Sequence, residues 1–360
     1  MAERPGPPPR PLRDVRSLVA KGLVRAEDAP ALERVVERYA VTLTPALARL
    51  IDHTNPDDPI AAQYLPHSDE LVTFADEIAD PTGDERHSPV RGVVHRYPDR
   101  ALLLPTMACA VYCRFCFRRE RVGPNGGTLS EAELDRALRY IADSSAIREV
   151  ILTGGDPLIL SPRRLGSVLA GLGAIPHVET VRIHSRVPVA DPARVTDSLA
   201  AILASGPPLW LLVHVNHARE LTQEAVEALD RLRRHGIPLL AQTVLLRGVN
   251  DSSDALETLF RALLRARVKP HYLHLLDPAP GTARFRVPLP FARALHASLR
   301  GRLPGHAIPT LMLDLAGGYG KVEATAPRLL SWPGGGVLAI DPEGRPHALP
   351  SAVAAAVESG

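Results

Sequence analysis

Cys109, Cys113 and Cys116 are the only cysteines of this 360-residue chain, and they fall within a few residues of one another. A Cys-x3-Cys-x2-Cys run offers three thiolates to one centre. A four-iron, four-sulfur (4Fe–4S) cluster held by three thiolates keeps one iron without a protein ligand, open to a small molecule. A structural zinc site asks for four closed ligands. His95 is a candidate fourth, but the spacing is unlike that of common zinc modules, so no zinc is expected. An odd, clustered set also argues against a disulfide framework. The aromatic and arginine residues between the thiols suit a loop wrapped on an anionic cluster.

A second candidate group is an amine. Arginine is written almost everywhere a generic cation suffices; Lys21, Lys269 and Lys321 are the only lysines among 42 basic residues. Each is a candidate for a role that needs a primary amine, and Lys321 follows the turn Gly317-Gly318-Tyr319-Gly320.

The elements that must position these groups follow from periodicity. Residues 1–13 are Pro/Arg-rich and are expected to be disordered. Residues 14–92 are expected to form a helical N-terminal region, with Leu32, Val35, Val36 and Tyr39 at helical spacing, followed over 78–92 by an acidic, polar surface linker. From about residue 100, short apolar runs read as buried strands: Ala101–Leu104, Val150–Leu152, Val181–Ile183, Leu209–Val213, Leu239–Val244 and Tyr272–Leu276. Helical patterns lie between them. Ser130 and Glu133 form a capping box, and Ser161-Pro162 and Asp191-Pro192 each place a cap before a proline. Six strand–helix units predict an α/β fold, an open, partial (β/α)6 barrel over 93–315, with its chemistry at the C-terminal strand ends. Those ends carry Cys109, Thr153-Gly154-Gly155-Asp156, His184-Ser185-Arg186, His214 and Asp277, with Gln242 inside the fifth strand. Residues 316–360 are expected to hold the Lys321 loop and a terminal hairpin.

Composition excludes several classes. The net charge of +2 predicts no nucleic-acid or membrane partner. No apolar run is long enough to span a membrane, and the Pro/Arg-rich N-terminus has no signal core. A cytoplasmic protein is expected.

The cysteine spacing resembles that of radical S-adenosylmethionine (SAM) enzymes. From about residue 45 to the tail, the chain resembles lysine 2,3-aminomutases in particular. The resemblance rests on His95-Arg96-Tyr97-Pro98-Asp99-Arg100, Cys116-Phe117-Arg118-Arg119, Val181-Arg182-Ile183-His184-Ser185-Arg186, Leu245-Leu246-Arg247-Gly248-Val249-Asn250-Asp251 and Asp314-Leu315-Ala316-Gly317-Gly318-Tyr319-Gly320-Lys321. It implies a barrel of the radical SAM type. It also implies three cofactors: a 4Fe–4S cluster on the three cysteines, SAM, and pyridoxal 5′-phosphate carried by Lys321 as a Schiff base. Gly154, Gly155 and Asp156 correspond to the turn at the methionine amino group, and Ser185, His214 and Gln242 to positions near SAM. Arg96, Tyr97 and Arg100 correspond to ligands on the phosphate side of the pyridoxal group. Arg118 matches the arginine that holds the substrate's α-carboxylate, and Asp277 and Asp314 the paired carboxylates that hold the ε-ammonium of lysine.

The implied function is 2,3-amino migration on L-lysine, with a reducing electron donor protein as partner and a homo-oligomer as one possible assembly. Two departures stand out. Phe115 sits where well-known members have histidine. Tyr319 sits where glycine is usual, a change expected to narrow the pocket. Other readings of the same residues are another amino acid as substrate, β-lysine for elongation factor P, and a non-catalytic iron–sulfur or zinc regulatory protein.

Overall fold

Along each central strand, side chains alternate between two environments, as a period of two requires. Val150, Leu152, Val181, Ile183, Leu211 and Val213 turn outward into a single large apolar core. There they meet helix residues such as Leu165, Val168, Leu169 and Leu172. The residues between them turn inward. This computed structural model describes residues 10–124, 126–325, 329–332, 336–340 and 345–349.

The main sheet has nine strands in sequence order. They are β1 (Val93–Tyr97), β2 (Arg100–Thr106), β3 (Glu149–Gly154), β4 (Thr180–Ser185), β5 (Leu209–His214), β6 (Leu239–Val244), β7 (Lys269–His274), β8 (Thr310–Leu315) and β9 (Gly320–Glu323). Strands β2 to β8 run parallel, while β1 and β9 flank them antiparallel. Six parallel strands are expected from the sequence and seven are found. The seventh, β8, interrupts its apolar run with Asp314 and so carries a weaker pattern.

Helices connect the parallel strands: Glu131–Asp143, Pro162–Gly173, Asp197–Ala204, Gln223–Arg234, Ser253–Arg265 and Leu289–Ser298. Ser130 and Ser161 cap their helices as expected. Asp191 does not. It makes no capping hydrogen bond and precedes only a short 3-10 turn, and the helix starts instead behind Thr196, whose hydroxyl accepts from Leu199 N–H.

The sheet is not closed by strand pairing. Its two edges meet through a side chain: the Tyr97 hydroxyl on β1 accepts the Lys321 N–H of β9 at 2.9 Å. Beyond β9, β10 (Leu329–Trp332), β11 (Gly336–Ile340) and β12 (Pro346–Ala348) form a small antiparallel sheet, so the expected hairpin is one part of a three-stranded unit. Its expected turn at 341–344 lies outside the described residues.

The N-terminal region folds over the cysteine loop on its own core, which includes Leu18, Leu43, Leu47, Ile60 and Tyr64 and touches Val111. Two expectations fail here. Leu12 exchanges two backbone hydrogen bonds with Leu43, so order begins before residue 14; residues 1–9 lie outside the described residues. The segment 78–92 is not a surface linker throughout, because residues 81–84 are buried. Among the described residues, no helix is long and apolar enough to cross a membrane.

Candidate active site

The cysteine loop leaves β2 and is held by two buried ion-pair clusters, one centred on Glu70 of the N-terminal region and one on Arg186 and Glu220 at the ends of β4 and β5. Glu70 is fully buried and accepts from Arg114, through Nε at 3.0 Å, and from Arg119. Arg186, at the end of β4, donates to Glu220 at 2.6 Å, to Gln63 at 2.8 Å and to the Sγ of Cys113 at 3.4 Å. Removing such charges from water is costly unless they are paired and hydrogen-bonded; here each charge is paired, while Nε of Arg119 and Nε of Arg186 have no hydrogen-bond partner among the described residues.

The three cysteines are free thiols. Burial pushes Cys109 well above the ordinary thiol range, and Asp156, Cys116 and Cys113 add to the shift. Cys113 is pushed up to about 11, first by burial, with Arg186 opposing. The thiols are thus electrostatic neighbours around one space. Among the described residues, no three His, Cys, Asp or Glu side chains converge tightly enough for a single metal ion. Arg118, Arg119 and Arg186 lie in the same electrostatic neighbourhood as the thiols, positive charge that fits an anionic cluster.

The glycine turn after β3 is packed tightly against neighbouring backbone. A Cβ on Gly155 would collide with the backbone carbonyl of Ala108, and one on Gly154 would lie 2.8 Å from the carbonyl oxygen of Thr106. Gly155 lets the cysteine loop lie directly on the turn, and Gly154 lets the end of β2 do so. Asp156 accepts from Ser185 Oγ at 2.8 Å, from Arg186 N–H at 2.7 Å and from Leu158 N–H at 3.0 Å. The side chains of Asp156 and Ser185 therefore frame the turn, and the Gly155 N–H is engaged with the Thr106 carbonyl at 2.8 Å.

Inward-facing positions of the strands build the rest. Leu273, Leu313 and Val322 belong to the outer core, so alternation turns His274, Asp314 and Lys321 into the barrel. By the same rule His184, His214 and Gln242 point inward. The Nε2 atoms of His184, His214 and His274 and Oδ1 of Asp314 are buried without a hydrogen-bond partner among the described residues. Burial, the largest cause, holds all three imidazoles below the ordinary histidine range, His274 at about 3. Buried polar atoms are normally paired. An interior with this many unpaired ones fits a polar group larger than a water molecule.

Lys321 Nζ donates to Asp314 Oδ2 at 2.5 Å. Arg96 stands 3.7 Å from Asp314 Oδ1, and His274 Nδ1 is 3.6 Å from Oδ2. Asp277 is pushed up to about 7 by burial and by Asp314, against the pull of Lys321, Arg118 and Arg96. Asp314 goes the other way: Lys321, then His274 and Arg96, outweigh its burial and lower it. Residues far apart in sequence thus share one field with two carboxylates and three cations.

The phosphate-side candidates are only partly gathered. Arg96 is half-buried and donates to the Thr82 carbonyl. The Tyr97 hydroxyl is engaged with the Lys321 backbone, and Arg100 pairs with Asp99 on the hairpin while lying over the Tyr97 ring. Tyr319 does not narrow the interior. Its ring is exposed, stacked against His347 and under Arg86. Phe115 is buried edge-on to His214 and Phe285.

Glu70, Asp84, His274 and the Arg186–Glu220 pair escape the sequence reading. Their partners lie dozens of residues away, and only the capping-box spacings of His67 to Glu70 and of His217 to Glu220 leave a local mark.

Residues 103–260 match the family model described as the radical SAM superfamily. The chain is 39% identical over 314 residues to the L-lysine 2,3-aminomutase of Methanococcus maripaludis, spanning 87% of this chain and 72% of that protein. It is 39% identical over 295 residues to that of Clostridium subterminale, spanning 82% and 71%. Against that of Escherichia coli it is 40% identical over 281 residues, spanning 78% and 81%.

Proposed function

Since the chain belongs to the lysine 2,3-aminomutase family of radical SAM enzymes, we propose that it is a pyridoxal-phosphate-dependent isomerase that moves the α-amino group of L-lysine to the β-carbon. The observation that carries this reading is the inward-facing Lys321 amine against Asp314, in one field with Asp277, Arg118 and Arg96.

A 4Fe–4S cluster with SAM supplies a radical, and pyridoxal phosphate supplies a carbonyl that carries the migrating nitrogen. Cys109, Cys113 and Cys116 would hold three irons, and an external reducing protein would deliver the electron. The Gly154–Gly155 backbone, with His214 and Gln242, lines the SAM side; Asp156 and Ser185 hold that turn in place. Lys321 provides the amine for pyridoxal phosphate, with Arg96, Tyr97 and Arg100 toward its phosphate. A guanidinium fork suits a carboxylate, so Arg118 takes the substrate's α-carboxylate. Asp277 and Asp314 take its ε-ammonium. Two carboxylates in a buried site favour a distal cation over a neutral or anionic side chain. Asp314 holds the Lys321 ammonium whenever that amine is free, so one carboxylate serves both cations.

The test is anaerobic reconstitution with iron, sulfide and pyridoxal phosphate, then turnover of isotopically labelled L-lysine with SAM and a reductant. β-Lysine is expected. SAM cleavage without β-lysine would refute the substrate. Borohydride reduction and peptide mapping should place the pyridoxyl group on Lys321, and a label elsewhere would refute that assignment.

A further inference from the structure

Residues 80–88 read as a surface linker, yet they touch three parts of the site. Gly317 N–H donates to the Pro81 carbonyl at 2.8 Å, and Arg86 donates to the Gly317 carbonyl at 2.6 Å. His87 Nε2 lies 3.2 Å from the Gly318 carbonyl. The packing is backbone on backbone: a Cβ on Gly83 would stand 2.9 Å from Gly318 Cα. Arg96 reaches the Thr82 carbonyl at 3.2 Å. The segment thus grips the loop that carries Lys321 and the Arg96 side chain together.

Its remaining contact is the most specific. Asp84 is 3% exposed, and its Oδ2 accepts from Arg118 Nε at 2.7 Å. Its Oδ1 accepts from Thr82 Oγ1 at 3.0 Å. Its own backbone is pinned, with N–H donating to Asp80 and the carbonyl accepting from Ser88 Oγ at 2.7 Å. The carboxylate is therefore held before Arg118 arrives. Arg118 is 9% exposed, and the Nε contact is its hydrogen bond to a side chain among the described residues. The two terminal nitrogens, the end-on fork of a guanidinium, are left for another anion.

We propose that Asp84 is a positioning residue: it grips Arg118 from the side, through Nε, and so aims the terminal fork at the carboxylate of an α-amino acid. This rests on the reading that Arg118 receives the substrate carboxylate. An arginine without such an anchor would have to be ordered by the substrate itself, at an entropic cost to binding. The anchor lies on the segment that also grips the Lys321 loop, so the carboxylate and amine ends of the substrate are measured from one support.

The experiment uses the full chain loaded with pyridoxal phosphate, without SAM or reductant, and reads equilibrium binding from the visible absorbance. The ligands are L-lysine, L-lysinamide (no carboxylate) and L-norleucine (no ε-ammonium). The wild type should prefer lysine to lysinamide. Asp84→Asn should lower that preference by about tenfold or more, the order expected for a hydrogen bond to a charged group, and leave the lysine-to-norleucine preference in place. Asp84→Glu should restore part of it. Should Asp84→Asn not fold, Thr82→Val removes only the hydroxyl on Asp84 and should shift the same ratio in the same direction. An Asp84→Asn protein that discriminates as the wild type does would overturn the role of Asp84 alone. Tighter lysine binding by that variant would make the contact an inhibitory latch and equally overturn it. A wild type indifferent to lysinamide would instead overturn the Arg118 reading beneath it.

Discussion

Replacing Glu70 by glutamine isolates what holds the cysteine loop. Glu70 is fully buried, and the side chains of Arg114 and Arg119 that converge on it are 2% and 4% exposed. Glutamine keeps the shape and one acceptor oxygen but removes the charge. Two guanidiniums are then left buried without their anion. Breaking a buried pair from one side costs about 3–5 kcal/mol, whereas an exposed pair would cost at most ~1 kcal/mol. The pH dependence gives a second handle. The two arginines outweigh burial and hold the Glu70 carboxyl below its ordinary range. A group depressed in the folded state stabilises above its unfolded pKa and loses that contribution as pH falls through its folded value. The gap between wild type and Glu70→Gln should thus be full at pH 7 and shrink on acidification below the ordinary carboxylate range. Urea unfolding of the metal-free protein, followed by circular dichroism across this pH range, measures it. A difference under ~1 kcal/mol at pH 7 would refute the reasoning, because it would mean that solvent reaches the cluster.

Three further outcomes follow from the geometry. Gly155→Ala puts a methyl group into the Ala108 carbonyl; the loop must shift, and iron bound per chain after reconstitution should fall, while normal iron content would show that the turn yields. Burial and Asp314 push Asp277 up to about 7, so affinity for L-lysine should rise more steeply as pH climbs through neutrality in the wild type than in Asp277→Asn, as read by equilibrium binding. Phe115→Ala removes a ring packed on His214 and Phe285; a cost of about 3–5 kcal/mol is expected for a buried aromatic, measured by the same urea titration, and a neutral result would mean that the loop refills the space.

Legibility followed the range of the interactions. The thiol triplet and the Lys321 turn are written in consecutive residues, and the strands declare themselves by two-residue periodicity, so both could be read directly. Strand β8 could not, because Asp314 breaks its apolar run for the sake of the site. The packing of the glycine turn was not legible either: Gly154 and Gly155 make room for the neighbouring backbone, a contact invisible without the third dimension. Asp84 and Glu70 were hidden because an acidic residue in a polar stretch looks the same whether it meets water or a buried arginine 34 or 44 positions away. Tyr319 misled because a residue's place in a motif does not tell which way its ring points.

The alternation along each strand has a consequence for how such a protein can change over time. Leu313 and Val322 answer to the helices, while Asp314 and Lys321, their immediate neighbours, face the barrel interior and each other. Two selective demands are interleaved in one stretch of chain but separated in space. A substitution on the inner register can alter what the barrel accepts without disturbing the outer layer that keeps it folded. New substrate preferences are therefore within reach of single replacements, each of which leaves a folded molecule for the next one to act upon.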